Sequence, residues 1–428
     1  MKIAVIGSGI SGLSAAHFLS KKHKVDLFEK KDHFGGHSYT VEVSSKSSNK
    51  KISVDLGFIV FNKVNYPNLV NLFEKMQVNY ENSNMSFSVS VKNSNIEYSG
   101  SGLKGLFANK YNILNLNFIK MVKEIFSFYK IAENLNPEDF MQQTLGEFLK
   151  SKKMSDYFIK FHIIPMVSAI WSTPTDLAYE MPMSLFINFF KNHGLFKFKD
   201  RPQWYTVKGR SKTYVNKILK TISGEYFKNY EIKKVFRNKN EVRLYYGSAN
   251  EYFHYDQVIF ATHANEALKL IENPTKIEKR ILENFEYKKN IAFLHSDDQL
   301  MPRNKKAWSS WNSILDNNNL NKNCITYWLN KLQNLKTKKN YFLTLNPILD
   351  IDNKKIIKKV EFSHPFYDIE TIKAQKYLSE LQGINNSWFC GSYFGYGFHE
   401  DGLKSALNMV KKLLKKLNLV TQYTIRML

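Results

Sequence analysis

Three glycines near the N-terminus have the spacing of a phosphate-binding turn. Gly7, Gly9 and Gly12 fit the pattern G-x-G-x-x-G. Such a turn lets the backbone approach a pyrophosphate, and the helix that follows offers unpaired N–H groups and the positive end of its dipole. Glu29 lies 22 residues after Gly7, where an acid accepts hydrogen bonds from ribose hydroxyls. These residues predict a dinucleotide site, but they do not distinguish NAD from FAD.

The elements that must position this site are recognisable on either side of it. Residues 3–6 form an uninterrupted apolar run, which is typical of a buried parallel strand. Apolar residues then recur at helical spacing from Leu13 to Leu19, and residues 24–28 read as a second strand that Glu29 closes. The sequence therefore predicts a strand–helix–strand unit of the Rossmann type.

A second pair of glycines favours FAD. Gly35, Gly36 and His37 open the stretch "GGHSYT", six residues after Glu29. A glycine pair at this distance resembles the superfamily of flavin amine oxidases, protoporphyrinogen oxidases and carotenoid desaturases. The resemblance implies FAD, with the pair against its flavin half. We predict that the FAD is bound non-covalently, since no cysteine or histidine stands at a position suited to a covalent flavin link. Amine oxidases usually carry an arginine where this chain has His37.

Two later segments extend the resemblance. Residues 231–262 read as a strand meander with turns at 238–240 and 247–250, which relatives place beside the adenosine. The stretch "WFCGSYFGYGFHEDGLKSAL" predicts a strand at 388–390, a loop and a helix starting near Asp401, whose N-terminus relatives aim at the flavin ring. Ser392 stands where many relatives have an acid. The predicted cofactor-binding residues are Gly7, Gly9, Ile10, Ser11, Gly12, Glu29, Lys30, Gly35, Gly36, His37, Val235, Gly391, Glu400, Asp401, Gly402 and Leu403.

The chain also resembles a narrower group of proteins, and this resemblance runs from residue 1 to about residue 418. The stretches "VDLGFIVFNKVNYPNLVNLFEKMQV", "PMVSAIWSTP" and "RPQWYTVKGRSKTYV" look like bacterial flavoproteins encoded beside cyclopropane-fatty-acyl-phospholipid-synthase-like methyltransferases. The resemblance implies oxidation or desaturation of unsaturated or methyl-branched acyl chains of phospholipids, in association with such a methyltransferase. Arg210 departs from the group, which tends to have a glycine there, and residues 418–428 run past its usual end.

Two other function classes stay open. One is an amine oxidase or a polyene desaturase, since an amine site offers a narrow aromatic cage whereas a lipid site offers a long apolar tunnel. The other is a double-bond isomerase or a flavin-binding partner without redox turnover, which net oxidation of a substrate would exclude.

The substrate side is less sharply marked. No catalytic residue is assigned, although His399 and Tyr396 are candidates beside the proposed flavin-facing helix. Histidines 162, 193, 263, 364 and 399 are candidates for titration near neutral pH. Residues typical both of a pocket wall and of ordinary core are Phe87, Trp171, Phe189, Trp308, Trp311, Tyr393 and Phe398.

The resemblance implies the architecture, because the FAD-binding fold of this superfamily is assembled from discontinuous segments. We predict an α/β fold with a Rossmann-like FAD-binding domain assembled from residues 1–80, 201–275 and 381–420, an α+β substrate domain from 81–200 and 276–380, and a tail at 421–428. Two isolated cysteines and no 18-residue apolar run predict a cytoplasmic protein without a disulfide framework, metal site or membrane span.

The chain has a formal net charge of +24. We attribute this charge mainly to A+T-rich coding DNA, because Lys, Asn, Ile, Phe and Tyr are abundant together. We expect no nucleic-acid partner, since no basic and aromatic module is present. The last helix is basic and amphipathic. It is typical either of peripheral contact with the anionic inner face of a membrane or, as we favour, of packing on its own domain.

Overall fold

The computed structural model describes residues 1–45, 48–247 and 251–417. The predicted tail, residues 418–420 and most of the turn at 247–250 lie outside this part. The strands are β1 (Lys2–Ile6), β2 (Lys24–Phe28), β3 (Thr40–Ser45), β4 (Ser48–Asp55), β5 (Phe61–Asn62), β6 (Tyr80–Ser83), β7 (Phe87–Lys92), β8 (Glu97–Ser99), β9 (Trp204–Val207), β10 (Tyr226–Phe227), β11 (Ile232–Arg237), β12 (Val242–Tyr246), β13 (Glu251–Tyr255), β14 (Gln257–Phe260), β15 (Glu286–His295), β16 (Trp311–Asp316), β17 (Asn319–Trp328), β18 (Phe342–Leu345), β19 (Ile356–Phe366) and β20 (Ser387–Phe389).

Helices connect and cover these strands. They are α1 (Ile10–Leu19), α2 (Pro67–Lys75), α3 (Leu103–Leu106), α4 (Leu116–Asn134), α5 (Leu145–Ser151), α6 (Asp156–Phe158), α7 (Ile164–Trp171), α8 (Thr175–Ala178), α9 (Met183–Asn192), α10 (Lys212–Leu219), α11 (Ala264–Leu270), α12 (Lys276–Leu282), α13 (Leu329–Leu332), α14 (Ile369–Gln375) and α15 (His399–Lys416). Among the described residues, no helix is both long enough and apolar enough to cross a membrane.

A parallel sheet positions the N-terminal glycine turn. Its order is β10-β2-β1-β14-β20, and every neighbouring pair runs parallel. The central strand β1 is buried from Ile3 to Ile6, which explains its unbroken apolar run. The strands come from distant segments of the chain, since β1 ends at Ile6 and β20 begins at Ser387. The predicted α/β class with a discontinuous Rossmann-like sheet is therefore confirmed.

A mixed seven-stranded sheet forms the second large layer. Its order is β19-β15-β18-β17-β16-β7-β8, antiparallel except for the pair β16–β7. Helices α4, α7 and α9 bury their apolar sides in one cluster with residues of β7 and β8. Strands from both predicted insertions therefore share one sheet; the domain boundaries themselves stay a prediction.

The last helix packs against the parallel-sheet layer. Helix α15 begins at His399, two residues before the predicted start. Phe398, which precedes it, has extended backbone and is the N-cap. Its apolar side, from Leu403 to Leu414, is buried in the same cluster as α1. The chain itself covers the apolar side of α15, as the packing interpretation expects.

Candidate functional site

The first glycine turn is sterically restricted to glycine at two positions. Gly7 has φ +99°, and a Cβ on it would lie 2.7 Å from the Ala261 carbonyl oxygen. A Cβ on Gly12 would lie 1.9 Å from the Gly7 carbonyl oxygen. These contacts hold β1, α1 and the end of β14 closer than any side chain would permit.

Gly9 differs from both. It is the N-cap of α1 with φ −62° and ψ 178°, and within the described part of the chain no side-chain hydrogen bond caps the helix at this position. A Cβ on Gly9 would meet no atom within 4 Å. The helix N-terminus therefore has open space beside it and no acceptor from a side chain, which suits a pyrophosphate bound by backbone N–H groups.

Glu29 links the turn to the second glycine pair through Ser8. Its carboxylate accepts hydrogen bonds from Ser8 N (3.1 Å), Ser8 Oγ (2.5 Å) and Lys31 N (2.9 Å). Gly35 N in turn donates to Ser8 Oγ at 3.1 Å. Sequence reasoning missed Ser8, although it lies inside the glycine turn. Lys30 is half-exposed and pairs with Glu266 at 2.5 Å.

The second glycine pair lies directly against the first turn. Gly35 and Gly36 have φ +113° and +58°, and a Cβ on Gly36 would lie 3.0 Å from Gly9 Cα. Gly57, which the sequence did not single out, approaches the next residue: its Cβ would lie 2.1 Å from the His37 carbonyl oxygen. The pair and the turn thus form one continuous backbone surface.

His37 carries a buried nitrogen without a partner. Its ring stacks on Phe362 (centroids 5.2 Å apart) and lies 5.3 Å from the ring of His364, while Nε2 is buried and unbonded within the described residues. Burial and the neighbouring imidazoles hold the pKa of His37 well below its usual value. A neutral imidazole with an unsatisfied nitrogen fits a hydrogen bond to a bound group. Together with the space beside Gly9, it makes the site compatible with a flavin dinucleotide.

The start of α15 meets the start of α1. A Cβ on Gly402 would lie 2.7 Å from Ser11 Oγ and 2.9 Å from Ile10 Cγ2. Gly391 is tied to the same helix, because its N–H donates to Ser405 Oγ at 2.9 Å. Leu403 is fully buried in the core. The predicted meeting of two helix N-termini is therefore present in the structure.

The two acids at the start of α15 are engaged within the chain. Glu400 accepts from Asn68 N (2.9 Å), Asn68 Nδ2 (2.5 Å) and Leu69 N (3.0 Å), and so caps α2. Asp401 accepts from Tyr396 N and Phe398 N, both at 3.0 Å, and burial raises its pKa to about 6. The predicted cofactor role of this helix start therefore rests on its backbone N–H groups rather than on either carboxylate.

Val235 lies in β11 of the meander. Its carbonyl oxygen accepts from Glu272 N at 3.0 Å, and its side chain is buried in a cluster with Ile6 and Phe28, the last residues of β1 and β2. The meander thus lies beside the carboxyl edge of the parallel sheet.

The prediction that His399 titrates near neutral pH is wrong. Its ring stacks on Phe58 at 3.6 Å, and Nε2 lies 2.9 Å from Ser38 Oγ and 3.1 Å from the Tyr214 hydroxyl. Burial lowers the pKa of His399 to about 3, so the ring is neutral at pH 7. The same cause lowers the pKa values of the other candidates, to about 3 for His162, about 4 for His193 and His364, and below its usual value for His263.

The predicted pocket residues separate into groups. The ring centroid of Phe189 lies 4.6 Å from that of Trp171 and 4.9 Å from that of Phe398, so these three residues form an aromatic trio. Phe87 and Trp311 are paired in register on β7 and β16, and both pack against another cluster. Phe87 also packs against the cluster that contains Trp171 and Phe189. Trp171 and Trp311 each bury an indole nitrogen without a partner among the described residues.

The last two predicted pocket residues lie elsewhere. Trp308 donates from Nε1 to the Pro302 carbonyl oxygen (2.7 Å) and packs on Trp328. Tyr393 is buried against Phe285 and the backbone of Gly391. Neither belongs to the trio or to the Phe87–Trp311 pair.

Tyr396 is half-buried and connects the aromatic trio with a surface groove. Its ring lies 6.1 Å from that of Phe189. It also lines a groove of about 730 Å³ between α9, α14 and α15. Among the described residues that line this groove there are four lysines, Lys376, Lys404, Lys411 and Lys412, and one acid, Asp401.

Comparison with known proteins agrees with this architecture. Residues 5–76 match the model of the NAD(P)-binding Rossmann-like domain. A fatty acid isomerase from P. acnes that produces CLA superposes with a TM-score of 0.67 at 12% identity, covering 96% of this chain and 98% of that one. Cyclohexylamine oxidase from Brevibacterium oxydans IH-35A gives 0.67 at 12% identity, with coverages of 97% and 99%.

A third similar structure is an oxidoreductase from Methanosarcina mazei, with a TM-score of 0.62, 15% identity and coverages of 96% and 100%. Among curated proteins, none matches this chain in sequence. At these identities the comparisons show a shared fold along nearly the whole chain, that of the amine-oxidase type.

Proposed function

We propose that this protein is a FAD-dependent oxidoreductase of acyl chains. The observation that carries the proposal is the meeting of three backbone features at one place: the uncapped N-terminus of α1 at Gly9, the turn at Gly35–Gly36 against it, and the start of α15 with Gly402 against Ile10 and Ser11. Such a surface suits an extended dinucleotide, because it offers backbone N–H groups and the positive ends of two helix dipoles.

The residues of the chain would hold the cofactor in distinct ways. Glu29 would accept from ribose hydroxyls, the first turn of α1 would bind the pyrophosphate, and the start of α15 would stabilise negative charge on the ring. FAD, when bound, supplies a hydride acceptor for an activated C–H bond. The buried, neutral His37 would donate or accept one hydrogen bond through Nε2 without adding charge to the site.

The choice of an acyl substrate rests on the apolar surroundings. The trio Trp171, Phe189 and Phe398 would exclude water from the reacting bond. Tyr396 joins this trio to the lysine-lined groove, which would suit an amphiphile with an apolar chain and an anionic head group. The resemblance in sequence to flavoproteins encoded beside lipid methyltransferases supports unsaturated or methyl-branched acyl chains of phospholipids. An association with such a methyltransferase is part of the proposal.

A second candidate is a flavin-dependent isomerase of acyl double bonds. The structural similarity to the fatty acid isomerase from P. acnes favours it. The reaction would use the same cradle and the same apolar wall, but it would cause no net oxidation.

One experiment separates these functions. The purified flavoprotein is mixed anaerobically with phospholipids that carry unsaturated or methyl-branched chains and, separately, with primary amines. Bleaching of the flavin band by lipid, with loss of two hydrogens from the acyl chain, supports the proposal. Bleaching by amines alone rejects the acyl substrate, and migration of a double bond without bleaching favours the isomerase. A colourless protein that takes up no added FAD overturns both.

A further inference from the structure

Exposed apolar side chains are concentrated in one short segment. Among the described residues, the three most exposed large apolar side chains are those of Leu116 (84% exposed), Leu114 (82%) and Leu103 (75%). Tyr111 and Ile113 lie between them and are also more than half exposed. We call these five residues the apolar patch. Such a concentration of apolar side chains on a protein surface marks an interaction site.

The segment inverts the usual distribution of polar and apolar residues. Asn112, between two exposed apolar residues, is 1% exposed, and its Nδ2 donates to the carbonyl oxygens of Glu97 (3.0 Å) and Leu106 (3.4 Å). Asn109 caps the short 3₁₀ turn at Lys110–Ile113 and Asn115 caps α4. The polar side chains hold the backbone in shape while the apolar ones point outward.

The core beneath the patch is already filled. Phe118, two residues after Leu116, is fully buried against Tyr98, and Phe107 packs on its ring. The Ala108 carbonyl oxygen is tied to Asn304 Nδ2. The patch residues therefore have no place in the interior, and a binding partner must cover them if they are to leave water.

The charges around the patch select the partner. Lys104, Lys110, Lys120 and Lys123 are exposed in the same segment, and no acidic residue occurs between Tyr98 and Lys123. An apolar centre with lysines on its rim complements a bilayer that carries anionic head groups, since each lysine near such a surface adds attraction.

We propose that the apolar patch docks this protein on an anionic lipid bilayer. Its five side chains would insert among the lipid chains near the interface, and the four lysines would contact the head-group phosphates. The segment leads directly into α4, whose buried side shares one apolar cluster with Trp171 and Phe189. The surface that meets the lipid thus belongs to the layer that holds the aromatic trio.

Vesicle binding tests the proposal without reference to flavin turnover. Wild-type protein is sedimented with vesicles of equimolar phosphatidylcholine and phosphatidylglycerol and with vesicles of phosphatidylcholine alone. We expect binding to the anionic vesicles. The double variant Leu114→Ser/Leu116→Ser should lower this binding about 25-fold, from about fivefold for each leucine. The variant Lys104→Gln/Lys110→Gln should lose about fivefold per lysine on anionic vesicles only.

Matched variants serve as controls. Ile277→Ser/Leu349→Ser removes two partly exposed apolar side chains outside the patch, and it should bind vesicles like the wild type. Relative to the wild type, Leu116→Trp should add fluorescence that shifts to the blue on vesicles and is quenched by brominated lipid, whereas the fluorescence that Leu349→Trp adds should not respond. The reporter pair gives a result even if the serine variant fails to fold.

The proposal is overturned if the wild type binds no vesicles, or if the control variant loses as much vesicle binding as Leu114→Ser/Leu116→Ser does. It is also overturned if the fluorescence shift appears without lipid when the protein concentration is raised. The last result would indicate a second copy of the chain on the patch. Each outcome leaves the proposed oxidation of acyl chains to be judged by flavin bleaching alone, so the two can fail separately.

Discussion

Replacing Gly9 by alanine should separate cofactor binding from folding. The φ and ψ of Gly9, −62° and 178°, are ordinary extended values that alanine adopts without strain. Apart from its two neighbours in sequence, the new Cβ would meet no atom of the described residues within 4 Å. We therefore expect the free energy of unfolding of the cofactor-free protein to stay level or to rise by about 0.4–1 kcal/mol, because alanine restricts the unfolded chain.

The same methyl group would lie beside the first turn of α1, where we place the pyrophosphate. If it displaces the phosphates from one backbone N–H group, the loss is that of a hydrogen bond to a charged partner, about 1.5–3 kcal/mol. The Kd for FAD should therefore rise about 10- to 150-fold.

The assay is a titration of deflavinated protein with FAD, followed by quenching of flavin fluorescence, beside urea unfolding of the same preparation. Gly100→Ala is the matched control. A Cβ on Gly100 would have its nearest neighbour 3.9 Å away, and this glycine lies outside the predicted site. If Gly9→Ala binds FAD as tightly as Gly100→Ala does, the cradle is in the wrong place.

Three further predictions concern single side chains. Glu29→Ala should weaken FAD binding by about 1–3 kcal/mol in the same titration, since a charged acceptor is lost; unchanged affinity would remove Glu29 from the site. Glu400→Gln should lower the free energy of unfolding by about 1–2 kcal/mol, because its carboxylate caps α2, and should leave FAD affinity within threefold; the reverse result would make Glu400 a cofactor ligand. Burial lowers the pKa of His399 from 6.5 to about 3, so its contribution to stability is full above pH 6.5 and is lost as the pH falls toward 3. Between pH 6.5 and 5 the wild type should therefore lose about 2 kcal/mol more of its free energy of unfolding than His399→Gln does, measured by urea unfolding. An equal loss in both proteins would contradict the buried, neutral imidazole.

The strand–helix–strand unit was predictable because its signals are local. Residues 24–28 were predicted as a strand and form β2 with the same bounds. The spacing of the glycines and Glu29 follows from the lengths of β1, α1 and β2, so the sequence placed them at one edge of the sheet. The discontinuous arrangement required the resemblance to known flavoproteins, since no local pattern pairs β14 with β20.

The side-chain partners were not predictable, because they join distant segments. Glu400 bonds to Asn68 and Leu69, more than 330 residues earlier. His399 forms hydrogen bonds with Ser38 and Tyr214, and no residue near His399 in the sequence indicates these partners. The grouping of Trp171, Phe189 and Phe398 apart from Trp308 was hidden for another reason. A pocket wall and a closed core have the same composition, and only tertiary contacts distinguish them.

The two segments that suggest contact with a membrane show where periodicity stops being informative. Helix α15 has the stronger amphipathic pattern in sequence, yet its apolar side packs against α1. Residues 103–116 have no clear helical period, because the segment is built from a short helix, a 3₁₀ turn and the start of α4. Periodicity reports that apolar residues lie on one side, but not whether the chain covers that side. Whether an apolar side is covered depends on which distant segments pack against it. Helix α1 packs against α15. In the other segment Asn112 and Phe118 are buried, while Leu114 and Leu116 stay exposed. The exposed leucines, rather than the basic helix, are therefore the surface on which a lipid experiment should be designed.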